Sequence, residues 1–147
     1  MNLQENMKVK GELSIVVRDF EGNIKQTLHV PNLVVTNGKN YIASRMVGTA
    51  STVMSHMAIG TGTATPIVGD AGLGTEAGRV ALSSFTASAN AVTGTATFPA
   101  GTGTGAITEA GILNAASSGT MLCRTTFPVV NKAAGDSIAI TWVITVS

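Results

Sequence analysis

The side chains able to do chemistry in this chain are few and scattered. Its carboxylates are Glu5, Glu12, Asp19, Glu21, Asp70, Glu76, Glu109 and Asp136. No two of them stand at a spacing that demands shared acid–base work. Asp136 follows Gly135 in a turn, and Glu109 lies beside Ala110 and Gly111. Antiparallel pairing of the runs around them would bring Glu109 to Arg124 as a cross-strand ion pair, contributing about 0.2–1 kcal/mol if exposed. His56 shares a strand face with Met54 and Ala58, and no second His or Cys lies close in sequence to complete a metal set. It is expected to be a packed or hydrogen-bonded side chain.

Cys123 is the sole cysteine, so an intramolecular disulfide is excluded. It sits in the apolar run Met121-Leu122-Cys123, where the sulfur reads as a small buried hydrophobe rather than a reactive thiol. Residues 101–106, GTGTGA, match GxGxxA, one form of the dinucleotide-binding fingerprint. The working motif follows a buried strand and opens a helix. Here Pro99 precedes it and β-prone residues follow, so a loop between strands is expected. There is no GxSxG, no HExxH and no P-loop. Trp142 belongs to a run in which Ile138, Ile140, Trp142, Ile144 and Val146 form one apolar face, and it reads as a core anchor. The sequence therefore points to a protein that is not an enzyme, with no catalytic, cofactor-binding or metal residues.

The elements that must position these groups are β-strands. The 147 residues suit one domain able to bury its own core. Residues 1–10 are polar and mixed in charge, and read as an N-terminal arm to a domain over 11–147. The run 13–18 and the run 24–30 alternate around a turn at 19–23, which predicts a hairpin with one buried face. Pro31 is expected to end that pairing for want of an N–H. A short helix is expected over 38–47, with Thr36 or Asn37 as N-cap and Gly48 as the stop. Residues 53–59 read as a strand with Val53, Ser55, Met57 and Ile59 on one face. The long small-residue connection from 60 to 78 is expected to lie across a neighbouring subunit. Residues 79–85 and 91–98 read as two strands about a turn at Ala89-Asn90. Val92, Ala96 and Phe98 are expected to face the core, with Thr93, Thr95 and Thr97 outside. Three β-prone runs then fill the last forty residues.

Charged residues make up only 12% of the chain, about half the usual share for a soluble domain. So little charge suggests a surface covered by copies of itself or by a larger assembly. The net charge of +1 gives no electrostatic case for nucleic acid or an anionic membrane as partner. The first residues hold no apolar signal-peptide core, and no run approaches the ~20 residues of a membrane span. Synthesis in a cytoplasm without membrane insertion is expected.

Taken together, MSHMAIGTG at 54–62, FPAGTGTGAITEAGILN at 98–114 and ITWVI at 140–144 resemble small virion proteins of tailed bacteriophages. The likeness is to capsid decoration (cement) proteins with a jelly-roll-like β-sandwich, and to related sandwich modules in tail fibres and baseplates. It spans roughly residues 32–147. The resemblance implies an all-β antiparallel sandwich of about eight strands with one short helix. It also implies a homo-oligomer, dimer or trimer, seated on the capsid surface of the virion and binding the major capsid protein. It carries over no catalytic residue and no cofactor. Two other readings stand beside it: a tail, baseplate or fibre-attachment protein, and a carbohydrate-binding sandwich whose one support is Trp142.

Overall fold

In the computed structural model, residues 3–49 and 52–147 are described. The strands are β1 (Val9–Arg18), β2 (Ile24–Val34), β3 (His56–Gly60), β4 (Glu76–Ala81), β5 (Ser84–Ser88), β6 (Ala91–Phe98), β7 (Gly105–Leu113), β8 (Met121–Lys132) and β9 (Ser137–Val146), with helix α1 (Thr36–Met46) after β2. All pairings are antiparallel. They form one nine-stranded sheet in the order β4-β3-β7-β8-β2-β1-β9-β6-β5. The sheet curls so that two leaves face each other. The first leaf is β5-β6-β9-β1-β2 and the second is β2-β8-β7-β3-β4. The expected all-β, sandwich-like architecture with one short helix is met, with nine strands in place of about eight.

β2 belongs to both leaves, and Pro31 explains how. Residues up to Asn32 pair with β1, whereas Leu33 and Val34 pair with Arg124 and Cys123 of β8. The expectation that Pro31 ends the strand is corrected. A proline disrupts a ladder only where its nitrogen must donate, and β8 joins β2 only from Leu33 onward. The proline carbonyl is used: it accepts the Thr125 hydroxyl at 2.6 Å. At the N-terminal side β1 begins at Val9, so Val9 and Lys10 belong to the sheet rather than to an arm. Residues 3–7 are exposed and carry no regular structure, and Met1 and Asn2 lie outside the described residues.

Between the leaves lies one core. Leu13, Ile15, Val17, Phe98, Ile138, Ile140 and Trp142 of the first leaf meet Met57, Ile59, Ile107, Ile112 and Val130 of the second. Each such side chain contributes about 1.5–3 kcal/mol when fully buried. The first leaf alternates between buried and exposed residues, as in β1 and β9, because its outer face meets solvent. Burial in the second leaf is nearly continuous along β3, β7 and the first part of β8, up to Phe127, because the leaf is covered on both faces there.

The helix runs from Thr36, so Thr36 and Asn37 are inside its first turn and neither caps it. Val35 occupies the cap position without a side-chain bond. The Thr36 N–H instead donates to the Val68 carbonyl at 2.8 Å, so a distant loop does the work of a capping side chain. Gly38 is buried against β8: a Cβ there would stand 2.0 Å from the Leu122 carbonyl oxygen, which no side chain can accept. At the other end Gly48 has positive φ, and the bonds Gly48 N–H to Arg45 and Thr49 N–H to Ser44 close a Schellman stop.

Two further expectations are corrected. Residues 79–85 are not one strand: β4 and β5 are separate, split at Leu82 and Ser83. There the Leu82 N–H donates to Ser55 in the second leaf and the Ser83 N–H to Thr95 in the first. The chain changes leaf at this point, so no single ladder can hold both sides. Val53 lies outside β3 and is 58% exposed, and Ala58 is as buried as Met57 and Ile59 because a loop covers the outer face.

Candidate interaction surface

Glu109 and Arg124 form a buried charge cluster on neighbouring strands. Glu109 is paired with Thr126 and Gly111 with Arg124, so the two charged side chains lie diagonally on the outer face of the second leaf. They meet as the sequence predicts, with Arg124 Nη2 2.8 Å and Nε 3.1 Å from Glu109 Oε2. The pair is buried, so the figure for an exposed pair does not apply: the two side chains are 3% and 0% exposed.

What buries them is the loop 61–75. Glu109 Oε1 accepts the N–H groups of Gly62 at 2.9 Å and Thr75 at 2.7 Å, and Oε2 accepts that of Gly74 at 2.8 Å. Arg124 donates through Nη1 to Asp70 at 2.9 Å and through Nη2 to the Ala64 carbonyl at 3.0 Å. Thr108 adds a hydroxyl bond to the Gly62 carbonyl at 2.8 Å. Gly62 is required here, since a Cβ would stand 2.5 Å from Glu109 Oε1. Beneath the loop, Leu73 packs on Val35, Ala58, Leu113 and Met121. The long connection therefore lies across its own sheet. Its exposed large apolar side chains are Ile67 and Val68.

Burial by itself pushes the Glu109 carboxyl upward. The N–H bonds of Thr75 and Gly74, the Arg124 guanidinium and the Gly62 N–H outweigh it and hold the group below its ordinary value. Asp136 is also held low, first by the Lys25 ammonium at 2.5 Å and then by the Ala133 N–H. Lys132 beside it is pushed down by burial against the pull of Asp136. Its Nζ donates to the carbonyls of Pro99 at 2.9 Å and Asp136 at 2.7 Å. A carboxylate whose folded value lies below its unfolded value adds stability that is present above the unfolded value and lost as pH falls through the folded one. The urea midpoint is thus expected to stay level from neutral pH down to the ordinary carboxylate range and to drop below it. Glu109→Gln should shallow that acid limb. A midpoint in the parent chain that stays level through strong acid would refute the assignment.

The other sequence candidates fall apart in space. Residues 101–106 open strand β7, not a helix, and Gly103 packs against the backbone of Gly78. His56 is half-buried, with Nδ1 2.8 Å from the Ser55 hydroxyl. No group of three metal-ligating side chains occurs among the described residues. Cys123 is buried, and burial pushes its thiol well up, as suits a core residue. Trp142 is fully buried in the core. No helix among the described residues is long and apolar enough to cross a membrane.

What remains open is the outer face of the first leaf. Register places Ser84, Thr95, Thr141, Ser14 and His29 in one cross-strand row. Thr86, Thr93, Val143, Glu12 and Pro31 form the next, and Thr97, Ala139, Val16 and Thr27 a third. Strands β5, β6 and β9 contribute no charged residue to this face. Glu12 Oε2 lies 3.2 Å from His29 Nε2. The signal in sequence was the alternation of threonine with apolar residues, which gives the outer position of each side chain. On β1 the same face carries Lys10, Glu12 and Arg18, and the uncharged stretch over β5, β6 and β9 was not visible until the strand order was known. No protein-family model, no curated protein and no solved structure matches the chain.

Proposed function

We propose that the chain is a virion structural protein of the capsid-decoration type, which seats as a homo-oligomer on the outside of a tailed-bacteriophage head and ties neighbouring major-capsid-protein subunits together. The observation that carries this reading is the bare, uncharged stretch over β5, β6 and β9 on the outer face of the first leaf, set against a second leaf that covers part of its own outer face with a strapped loop. The uncharged part of that face, over β5, β6 and β9, is inexpensive to desolvate against another protein. It gives no purchase for nucleic acid. Leu3 and Met7, both exposed on the segment leading into β1, supply further apolar contact area. Binding to the assembled shell but not to free subunits stabilises the shell by mass action.

The test uses heads purified without this protein, with saturating chain added back and occupancy read by quantitative gel and cryo-electron microscopy. Thr97→Lys with Thr141→Lys places two charges on the open face, and occupancy at subsaturating protein is expected to fall about tenfold or more, equivalent to about 1.4 kcal/mol. Removal of residues 1–7 should weaken attachment less and leave the domain folded. Density on the tail alone, or heads equally stable to heat with and without the protein, overturns the reading.

A further inference from the structure

The two ends of the sheet are finished in different ways. At one end β4 carries Glu76 and Arg79, paired at 2.6 Å, and Arg79 also donates to the carbonyls of Ala115 and Ser118. Its ladder with β3 is interrupted between Ile59 and Gly60. Charge and irregularity are the means by which proteins stop a free strand from pairing with another. At the other end β5, Ser-Phe-Thr-Ala-Ser, has neither charge nor proline, and its register with β6 is unbroken. It pairs with β6 alone, and Ser84, Thr86, Ala87 and Ser88 are exposed. Between Arg79 and Glu109 the chain holds no charged residue at all.

We infer that β5 is a homodimer seam: β5 of a second copy pairs with it antiparallel about a two-fold axis through Thr86, joining two first leaves into one continuous sheet. A two-fold of this kind sets Thr86 opposite Thr86 of the second copy, Ser84 opposite its Ser88, and Phe85 opposite its Ala87. Hydroxyl pairs and an aromatic–small pair are compatible cross-strand neighbours. A charge at the axis would meet itself, which is why self-pairing requires a neutral strand. The free N–H and C=O groups of the edge then find partners, and Ala87, bare in the single chain, is covered. The inference deepens only the homo-oligomer part of the proposed function and is independent of attachment to a head.

Sedimentation equilibrium on the full chain tests it. The chain of 14.9 kDa is expected to sediment at twice that mass, and Thr86→Lys at the single-chain mass with unchanged circular dichroism. Thr86→Cys should give a disulfide-linked dimer on mild oxidation, while Thr97→Cys should not; Cys123 is buried and takes no part. A parent chain that sediments as a monomer or trimer, or a folded Thr86→Lys that stays dimeric, overturns the seam. Should Thr86→Lys fail to fold, the cysteine pair decides: no cross-link at Thr86→Cys overturns the seam as well. Head occupancy is scored separately, so a Thr86-dependent dimer that ignores heads sinks the decoration reading and leaves the seam standing.

Discussion

Arg124→Met is expected to lower the free energy of unfolding by about 3–5 kcal/mol, the usual cost of stranding a buried charge. Among the described residues, the guanidinium is the only countercharge within bonding distance of Glu109, which is wholly buried. Removing it leaves a carboxylate held by three backbone N–H groups in a site closed to water. A buried ion pair can often be exchanged for apolar side chains at no net cost, but this one cannot. Glu109 is also the acceptor for Gly62, Gly74 and Thr75. In the double variant Glu109→Leu with Arg124→Met those three donors lose their acceptor, at about 1–3 kcal/mol for each that stays buried. Urea unfolding of both single variants and the double one closes a mutant cycle. The double variant should remain several kcal/mol below the parent, and amide exchange in 61–75 should accelerate in all three. Near-parental stability of the double variant would show that the loop holds to the sheet without the carboxylate.

The fate of that pair shows what the sequence could and could not reveal. Strand parity and antiparallel direction are local properties, and they sufficed to bring Glu109 and Arg124 together. Burial is set by what lies on top, and the cover comes from residues 61–75, distant in sequence and too rich in glycine to show any periodicity. The alternation of β1 and β9 was readable because one side of the first leaf meets solvent. The second leaf is covered on both sides, so residues such as Met57, Ala58 and Ile59 are buried in succession and the period of two vanishes. Pro31 was read as a stop because its missing N–H is a local fact, whereas the exchange of β1 for β8 as partner is a topological one. The split of 79–85 into β4 and β5 has the same origin. The apolar pattern runs through Leu82, but the two halves serve opposite leaves.

Trp142→Ala carries the second large effect, and it bears on function as well as stability. Trp142 lies between Leu13 of β1 and Gly94 of β6 in the ladder and faces the core with no exposed surface. Truncating a buried aromatic to alanine costs about 3–5 kcal/mol, through lost transfer energy and the cavity left behind. Its indole Nε1 has no hydrogen-bond partner among the described residues. An unpaired buried donor costs about 1–3 kcal/mol, so Trp142→Phe removes a penalty while it opens a smaller void. The phenylalanine variant is therefore expected to lose far less stability than the alanine one. A stacking role against sugar rings predicts the reverse: little change in urea midpoint for alanine, with glycan binding abolished. The core position predicts a large loss of stability and no glycan affinity in the parent chain. An alanine variant as stable as the parent would mean that the tryptophan is not holding the leaves together, and the carbohydrate reading would regain its one support.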